Sequence, residues 1–165
     1  MTKKASSSKV QIDTLPQLVF KGDFQQDVIG EIKPGSNVAI IFDAERLPLE
    51  RSLDEKGKPA WTISAFYKFL PGGEVNKINL LSEKSGARKK VKELTAEKIL
   101  KGVFSVPSGS EEAVIWFLNT GNSGHEYYDS ALGNNYRFRV LPEVVETASA
   151  DSAPVKKPRA KRSKV

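Results

Sequence analysis

The chain has 165 residues, no cysteine, one histidine and a formal net charge of +6. These values exclude disulfides, thiolate metal sites and a histidine-rich metal centre, and they predict one domain with additional terminal segments. Residues 1–9 carry +3 and residues 151–165 carry +5, which leaves −2 for residues 10–150. The basic residues therefore concentrate at the two ends, and the central part is nearly neutral.

The two ends of the chain lack the apolar residues that a core requires. The N-terminal stretch MTKKASSSK is polar and basic, and the C-terminal stretch DSAPVKKPRAKRSKV contains no aromatic residue. Segments of this composition cannot bury enough surface to offset the entropy lost on ordering. We therefore predict a disordered arm over residues 1–14, a folded domain over 15–142 and a disordered basic tail over 143–165.

Short runs rich in Val, Ile, Phe, Tyr and Trp alternate with Gly, Pro, Asn and Ser, a pattern typical of antiparallel strands. LPQLVFKG and QDVIGEI come first, and PGSNVAIIFD then predicts a buried strand from Val38 to Phe42. The polar stretch RLPLERSLDEKGKPAW predicts a long loop, and AWTISAFYKFL predicts a strand with one apolar face at period two. The residues on that face are Trp61, Ile63, Ala65, Tyr67 and Phe69.

The second half of the chain continues this pattern. Gly72 and Gly73 predict a hairpin turn, and residues 84–101 predict a basic excursion before a strand into VFSVP. The excursion is rich in the helix formers Lys, Glu, Ala and Leu, and the pattern leaves open whether it forms a helical turn. AVIWFLNT predicts a central strand, which would place Trp116 in the core, and NYRFRV predicts the last strand. About seven or eight short strands indicate an all-β, immunoglobulin-like antiparallel β-sandwich.

Signatures of catalysis are weak in this sequence. PGGE lacks the glycine spacing and the Lys-Ser/Thr ending of a phosphate-binding loop. His125 and Asp129 lie in one loop, and their closeness in sequence does not establish a nucleophile, base and orienting group. Glu126 and Asp129 could form a glycosidase pair, although acids in turns are usually solvated or capping. We predict a non-enzymatic protein without a metal site or cofactor.

The stretch HEYYDSALGNNYRFRV has the residue types of a binding surface. Sugars present flat apolar ring faces edged by hydroxyls, so a sugar site needs an aromatic ring and planar amide or carboxylate groups. Five such residues fall within ten positions: Tyr127, Tyr128, Asp129, Asn134 and Asn135. The same stretch also fits a plain turn before a strand, because Asp and Asn form turns and Gly accepts positive φ. The residues alone leave both interpretations open.

The segment YYDSALGNNYRFRV resembles the aromatic-Asp-Asn-Asn-x-Gly-x-Asn-Tyr signature of starch- and glycogen-binding modules, including glycogen-targeting subunits of a protein phosphatase. AVIWFLNT resembles the strand that precedes this signature, and DAERLP and KPAWTISAFY are similar to a bacterial domain family with the same ending. The resemblance implies that Tyr128 stacks on a glucan and that Asp129, Asn134 and Asn135 pair with its hydroxyls. Ser130 stands where the signature has asparagine, and no second aromatic platform matches.

The C-terminal tail supports a different kind of partner. Basic residues interleaved with Pro and Ala resemble the tails of chromatin- and ribosome-associated proteins, which bind phosphates without sequence preference. Without an aromatic residue, such a tail would bind nucleic acid weakly and with strong salt dependence. The residues concerned are Lys156, Lys157, Arg159, Lys161, Arg162 and Lys164. The alternative interpretation is a solubilising tail with no dedicated partner.

The preferred function is a non-catalytic binding module for an α-glucan-like polysaccharide. The alternative is a structural or nucleic-acid-associated protein, whose tail contacts phosphate backbones and whose β-domain contacts another protein. The N-terminus lacks the apolar region of a secretory signal, and the chain contains no run of about 18 apolar residues that would predict a membrane span. We therefore expect a cytoplasmic protein without membrane contact.

Overall fold

The computed structural model describes residues 11–81 and 98–142, which fold into two packed β-sheets. Two short 3-10 turns accompany the strands, at Ile12–Thr14 and Ala44–Arg46. In chain order the strands are β1 (Gln17–Phe20), β2 (Gln26–Ile29), β3 (Asn37–Asp43), β4 (Trp61–Leu70), β5 (Asn76–Asn79), β6 (Ile99–Ser105), β7 (Glu112–Gly121), β8 (Glu126–Asp129) and β9 (Tyr136–Arg139). The all-β sandwich predicted from the sequence is confirmed.

The first sheet has the strand order β2-β1-β3-β6. β1 pairs antiparallel with β2 and parallel with β3, so this sheet is mixed, whereas the sequence pattern predicted antiparallel strands. The β1–β2 hairpin places β2 at the outer edge. The chain then crosses back over residues 30–36 and enters β3 on the free side of β1, in the same direction as β1.

The second sheet is antiparallel and has β7 at its centre. β4 pairs along the whole of β7 on one side. On the other side β8 pairs with residues 117–120 and β9 pairs with residues 112–115. The two short strands therefore share one edge of β7, and Trp116 lies at the junction between them.

Alternation along the strands determines which side chains enter the core. Ile63, Ala65 and Phe69 of β4 are buried, and Trp61 and Tyr67 pack against them, so the apolar face predicted at period two is confirmed. On β7 the inward positions are Ala113, Ile115 and Phe117.

The core prediction for Trp116 is wrong. Successive side chains of a strand point to opposite faces of the sheet. Ile115 and Phe117 point into the core, so Trp116 between them points outward. On that outer face it is half-buried and stacks against Phe66, with ring centroids 5.8 Å apart and an interplanar angle of 10°.

Several predictions concern residues outside the described ranges. The arm over 1–10, the tail from residue 143 and most of the basic excursion over 84–101 belong to this group. Residues 12–14, which the sequence assigned to the arm, form a 3-10 turn. β6 runs over Ile99–Ser105, so the strand into VFSVP begins earlier than predicted, within the last residues assigned to the excursion. Among the described residues, no helix has the length and apolarity that crossing a membrane requires.

Candidate binding groove at the open edge of the sandwich

A groove of about 590 Å³ opens along the edge of the sandwich where β2 and β8 lie. This volume falls within the roughly 300–1,000 Å³ of typical ligand pockets. Four segments build the groove: the β1–β2 hairpin, the 3-10 turn after β3, β8 with the loop that follows it, and the start of β9. The lining residues are Phe24, Gln26, Arg46, Tyr128, Asp129, Ser130, Ala131, Leu132 and Tyr136.

The floor of the groove is a closed hydrogen-bond network of three side chains. Arg46 Nε donates to Asp129 Oδ2 at 2.7 Å, and Arg46 Nη2 donates to the Tyr136 hydroxyl oxygen at 2.6 Å. The Tyr136 hydroxyl donates in turn to Asp129 Oδ1 at 2.5 Å. Burial, reinforced by the hydrogen bond to Asp129, raises the pKa of Tyr136 to about 12. One positive and one negative charge cancel here, so the floor is electrically neutral.

Arg46 also holds the β1–β2 turn in position. Its Nη1 donates to the backbone carbonyls of Lys21 at 2.7 Å and Gln25 at 3.1 Å, and its guanidinium lies 5.0 Å from the centroid of the Phe24 ring. A planar guanidinium with several donors suits this role, because it can bind carbonyls, a carboxylate and a ring at once. The turn that carries Phe24 is therefore attached to the floor of the groove.

The rim of the groove is apolar and open to solvent. Phe24 is 61% exposed, Tyr128 is 55% exposed and Leu132 is fully exposed. Phe24 and Leu132 have φ values of 65° and 56°, in the left-handed region where an L-residue costs about 1–2 kcal/mol. Bulky residues in that region are outliers that cluster at functional sites. Exposed apolar side chains on strained backbone are therefore found together at the rim of this groove.

Two overlapping turns shape the loop between β8 and β9. The Ser130 carbonyl accepts from the backbone N–H of Gly133 at 3.0 Å and from that of Asn135 at 2.7 Å. The Ala131 carbonyl accepts from the backbone N–H of Asn134 at 3.2 Å. These bonds satisfy the backbone locally, so the loop can project Leu132 without support from the core.

The structure places the predicted sugar-contacting residues in different environments. Tyr128 lines the groove, and its hydroxyl donates to Glu126 Oε2 at 2.7 Å, which raises the pKa of Tyr128. Tyr127 lies on the opposite face of β8 and packs against the core. Asn134 is exposed and Asn135 is half-buried, and neither is among the groove-lining residues.

Asp129 has a different role from the one that the resemblance implied. It is buried, and each of its carboxylate oxygens accepts a hydrogen bond from the floor network. It therefore supports the groove from below, whereas a hydroxyl partner would have to present free oxygen lone pairs to the ligand. Gln26, a planar amide on the edge strand, lines the groove and was missed by sequence reasoning.

Arg46 was also missed, because it stands in a polar stretch that predicts a loop. Its role depends on partners about 80 to 90 positions away, as the separations of 83 to Asp129 and 90 to Tyr136 show. No local pattern marks such a residue. The six tail cations predicted to contact nucleic acid lie outside the described residues.

A second polar cluster lies near the other end of β8, at the β7–β8 turn. The Ser123 hydroxyl and the Ser52 backbone N–H both donate to the Glu50 carboxylate, and the bond from Ser123 contributes most to lowering its pKa. The buried Asn119 Oδ1 accepts from the Glu50 backbone N–H at 3.1 Å. These bonds tie the long loop before β4 to the β7–β8 turn. β8 begins shortly after this turn and pairs with β7 from Thr120↔Glu126 to Phe117↔Asp129.

Within residues 11–81 and 98–142, no group of three or more His, Cys, Asp and Glu side chains could hold a metal ion. His125 is exposed in the β7–β8 turn, with its ring 6.3 Å from that of Tyr127. It lies at the end of β8 away from the floor network and does not line the groove.

The fold defines the chain as a β-sandwich domain with a groove at its open edge. The chain belongs to a family of unknown function, DUF6209, whose family model matches residues 2–141. Comparison with curated proteins and with solved structures finds no match. The resemblance to starch- and glycogen-binding modules stays a prediction.

Proposed function

We propose that this protein is a non-catalytic binding module that holds an α-glucan-like carbohydrate in the groove. The observation that carries the proposal is the exposed ring of Tyr128 beside Phe24 and Leu132, three large side chains held open to solvent around one depression. Exposed apolar patches of this kind commonly mark ligand or partner sites. The left-handed backbone of Phe24 and Leu132 supports the same conclusion.

The chemistry of the groove suits a neutral ligand with apolar faces. A pyranose ring can lie against Tyr128, because the Tyr128 hydroxyl is held by Glu126 and the ring is left exposed. The floor carries a cancelled pair of charges, so it offers little attraction to an ion. Gln26, which lines the groove, supplies an amide donor and acceptor for ligand hydroxyls.

The groove supports binding without catalysis. Asp129 is the acidic residue among the lining residues, and Arg46 and Tyr136 both hold its carboxylate. A general base or nucleophile must reach the reacting atom with a free oxygen. Both carboxylate oxygens of Asp129 instead accept hydrogen bonds that hold the floor of the groove together.

The test is binding of the full-length chain to amylose or glycogen, measured for wild type, Tyr128→Ala and Tyr128→Phe. Aromatic stacking contributes about 0.5–1.5 kcal/mol beyond area burial, so Tyr128→Ala should weaken binding by about tenfold. Tyr128→Phe should bind like wild type, because the hydroxyl is directed to Glu126. Binding to a neutral glucan should change little between low and high salt.

The alternative function gives the opposite result. The described sandwich carries 12 Lys and Arg against 14 Asp and Glu, so it has no excess of positive charge. The tail cations on which the alternative function depends lie outside the described residues. Retention that ignores Tyr128, disappears when residues 151–165 are removed and weakens steeply with salt would favour the nucleic-acid-associated protein. That outcome would overturn the carbohydrate proposal.

A further inference from the structure

The outer face of the second sheet carries a short ladder of stacked groups. Lys77 of β5, Phe66 of β4 and Trp116 of β7 are directly opposite one another in register. Lys77 Nζ lies 5.5 Å from the centroid of the Phe66 ring, and the Phe66 and Trp116 rings are nearly parallel at 5.8 Å. One end of the ladder is thus a cation and the other end is an indole.

The indole end of the ladder lies where β8 and β9 meet. β8 pairs with β7 from Phe117 onward, and β9 pairs with β7 up to Ile115. Beside Trp116 the chain continues as the loop from Ser130 to Asn135, whose ends are joined by the hydrogen bond from the Asn135 N–H to the Ser130 carbonyl. Trp116 itself is half-buried, so part of its indole stays accessible on the outer face, where a flat ring could stack on it.

The charges on this face differ from those of the described domain as a whole. The outward positions of the strands hold four cations, Lys68, Lys77, Arg137 and Arg139, and two acids, Glu112 and Glu126. This face is therefore net +2, whereas the 12 cations and 14 acids of the described residues give −2.

Both acids on the face are already engaged. Glu112 accepts from Arg137 Nη1 at 2.7 Å, and Glu126 accepts from the Tyr128 hydroxyl. Within the described parts of the chain, Lys68, Lys77 and Arg139 form no ion pair. Three cations on this face are thus available to an anionic ligand: Lys77 beside the Phe66 ring, Lys68 opposite Val114, and Arg139 further along the sheet opposite Glu112.

We propose that this face binds single-stranded nucleic acid, with one base stacked on Trp116 and the phosphates beside Lys68, Lys77 and Arg139. Base stacking on aromatic side chains combined with a cationic track is the usual mode of sequence-tolerant single-strand binding. The cations select this ligand over a neutral sugar, since they would add nothing to glucan binding. The site adjoins the groove at Tyr128, which lies on the same outward face opposite Leu118, and it differs from the groove in its three cations without an ion pair among the described residues.

The experiment uses the full-length chain with the six tail cations replaced by glutamine, so that tail electrostatics cannot produce the signal. The probe is a fluorescein-labelled oligothymidylate of about 12 nucleotides, within the site sizes of single-strand-binding folds. Binding is followed by anisotropy across a salt series, and stacking is followed by tryptophan fluorescence with unlabelled oligothymidylate. The chain has two tryptophans, so Trp61→Phe is the matched control for Trp116→Phe.

Oligothymidylate should quench the fluorescence of the tail-substituted protein and of its Trp61→Phe variant, but not that of Trp116→Phe. Trp116→Ala should weaken binding by about tenfold, as expected for the loss of one stacked base. A variant with Lys68→Gln and Lys77→Gln should bind several-fold more weakly. The slope of log binding constant against log salt concentration should become shallower by about 1.4, because each of the two lost phosphate contacts contributes roughly 0.7. Lys56→Gln with Lys58→Gln, two exposed lysines of the long loop, should leave both values unchanged.

Three outcomes would overturn the proposal. One is the absence of oligothymidylate binding once the tail cations are replaced. Another is binding with equal quenching in Trp116→Phe and Trp61→Phe, which would place the ligand away from the ladder. The third is quenching of Trp116 by maltoheptaose and not by oligothymidylate, which would assign this face to a sugar. None of these outcomes depends on the Tyr128 variants that test the groove.

Discussion

Arg46 and Asp129 are 83 positions apart in the chain and form a buried ion pair between the two sheets, with Nε and Oδ2 separated by 2.7 Å. Arg46 follows β3 of the first sheet, and Asp129 ends β8 of the second. The pair therefore connects the two layers at their open edge. It also forms the floor beneath Tyr128, so stability and the shape of the groove depend on the same contact.

Replacing Asp129 with alanine should destabilise the fold by about 3–5 kcal/mol. The change leaves the Arg46 guanidinium buried without its counter-charge, and removing one partner of a buried pair has a cost of this size. Chemical denaturation of wild type and variant measures the difference in the free energy of unfolding. Glu126→Ala is the control, because the exposed Glu126 should shift that free energy by about 0.5 kcal/mol or less. Equal small effects of both changes would contradict a structural role for the pair.

The pKa of Tyr136 predicts loss of stability in alkali. Its folded value is raised to about 12 from an ordinary value of 10.0, so its contribution is fully present below pH 10.0 and is lost as the pH rises through about 12. Tyr136→Phe does not titrate there. The stability difference between wild type and Tyr136→Phe should be constant up to about pH 10 and should shrink above it. A difference that stays constant to pH 12 would show that the hydroxyl titrates normally.

Leu132→Asn should separate stability from binding. Asparagine tolerates the left-handed region better than leucine, so the free energy of unfolding should stay equal or rise by up to about 1 kcal/mol. Binding of the groove ligand should fall, because an apolar rim residue is lost. Leu49→Asn makes the same chemical change at an exposed leucine outside the groove and should leave binding unchanged. If Leu132→Asn binds the ligand as tightly as Leu49→Asn does, Leu132 does not contribute to the binding site.

Gly121 and Glu50 should show strong energetic coupling. A Cβ atom at position 121 would overlap the Glu50 side chain, which Ser123 and Ser52 hold in place, so Gly121→Ala should cost about 1–3 kcal/mol. Glu50→Ala removes the overlapping atoms, so Gly121→Ala should lower the free energy of unfolding less in that background. A double-mutant cycle by urea denaturation should therefore give a total below the sum of the single effects. Strict additivity would contradict the close packing of the β7–β8 turn on the long loop.

Local patterns predicted much of the fold. Period-two alternation identified β4 and β9, and the apolar run AVIWFLNT identified β7 as the central strand. The parallel pairing of β1 with β3 was not predictable, because strand order depends on contacts between distant segments. Trp116 was misassigned for a related reason. A strand that is apolar on both faces does not reveal which aromatic residue faces outward until its neighbours are known.

The candidate site was predictable in part. Turn-forming residues and tyrosines in one stretch led to Tyr128, and alternation on β8 explains why Tyr127 faces the other way. The sequence could not show that Asp129 is buried, because its partners Arg46 and Tyr136 meet only in the folded chain. It also could not show Phe24 at the rim, since that residue comes from the first sheet.

The most direct test of the central claim is an NMR titration of the isotope-labelled full-length chain with maltoheptaose, read from backbone amide shifts. If the groove holds the glucan, the amides of Phe24, Tyr128 and Leu132 should shift together and saturate with one dissociation constant, and Tyr128→Ala should weaken that constant by about tenfold. Shifts confined to residues outside the groove, or no saturable shifts at all, would contradict the proposed function.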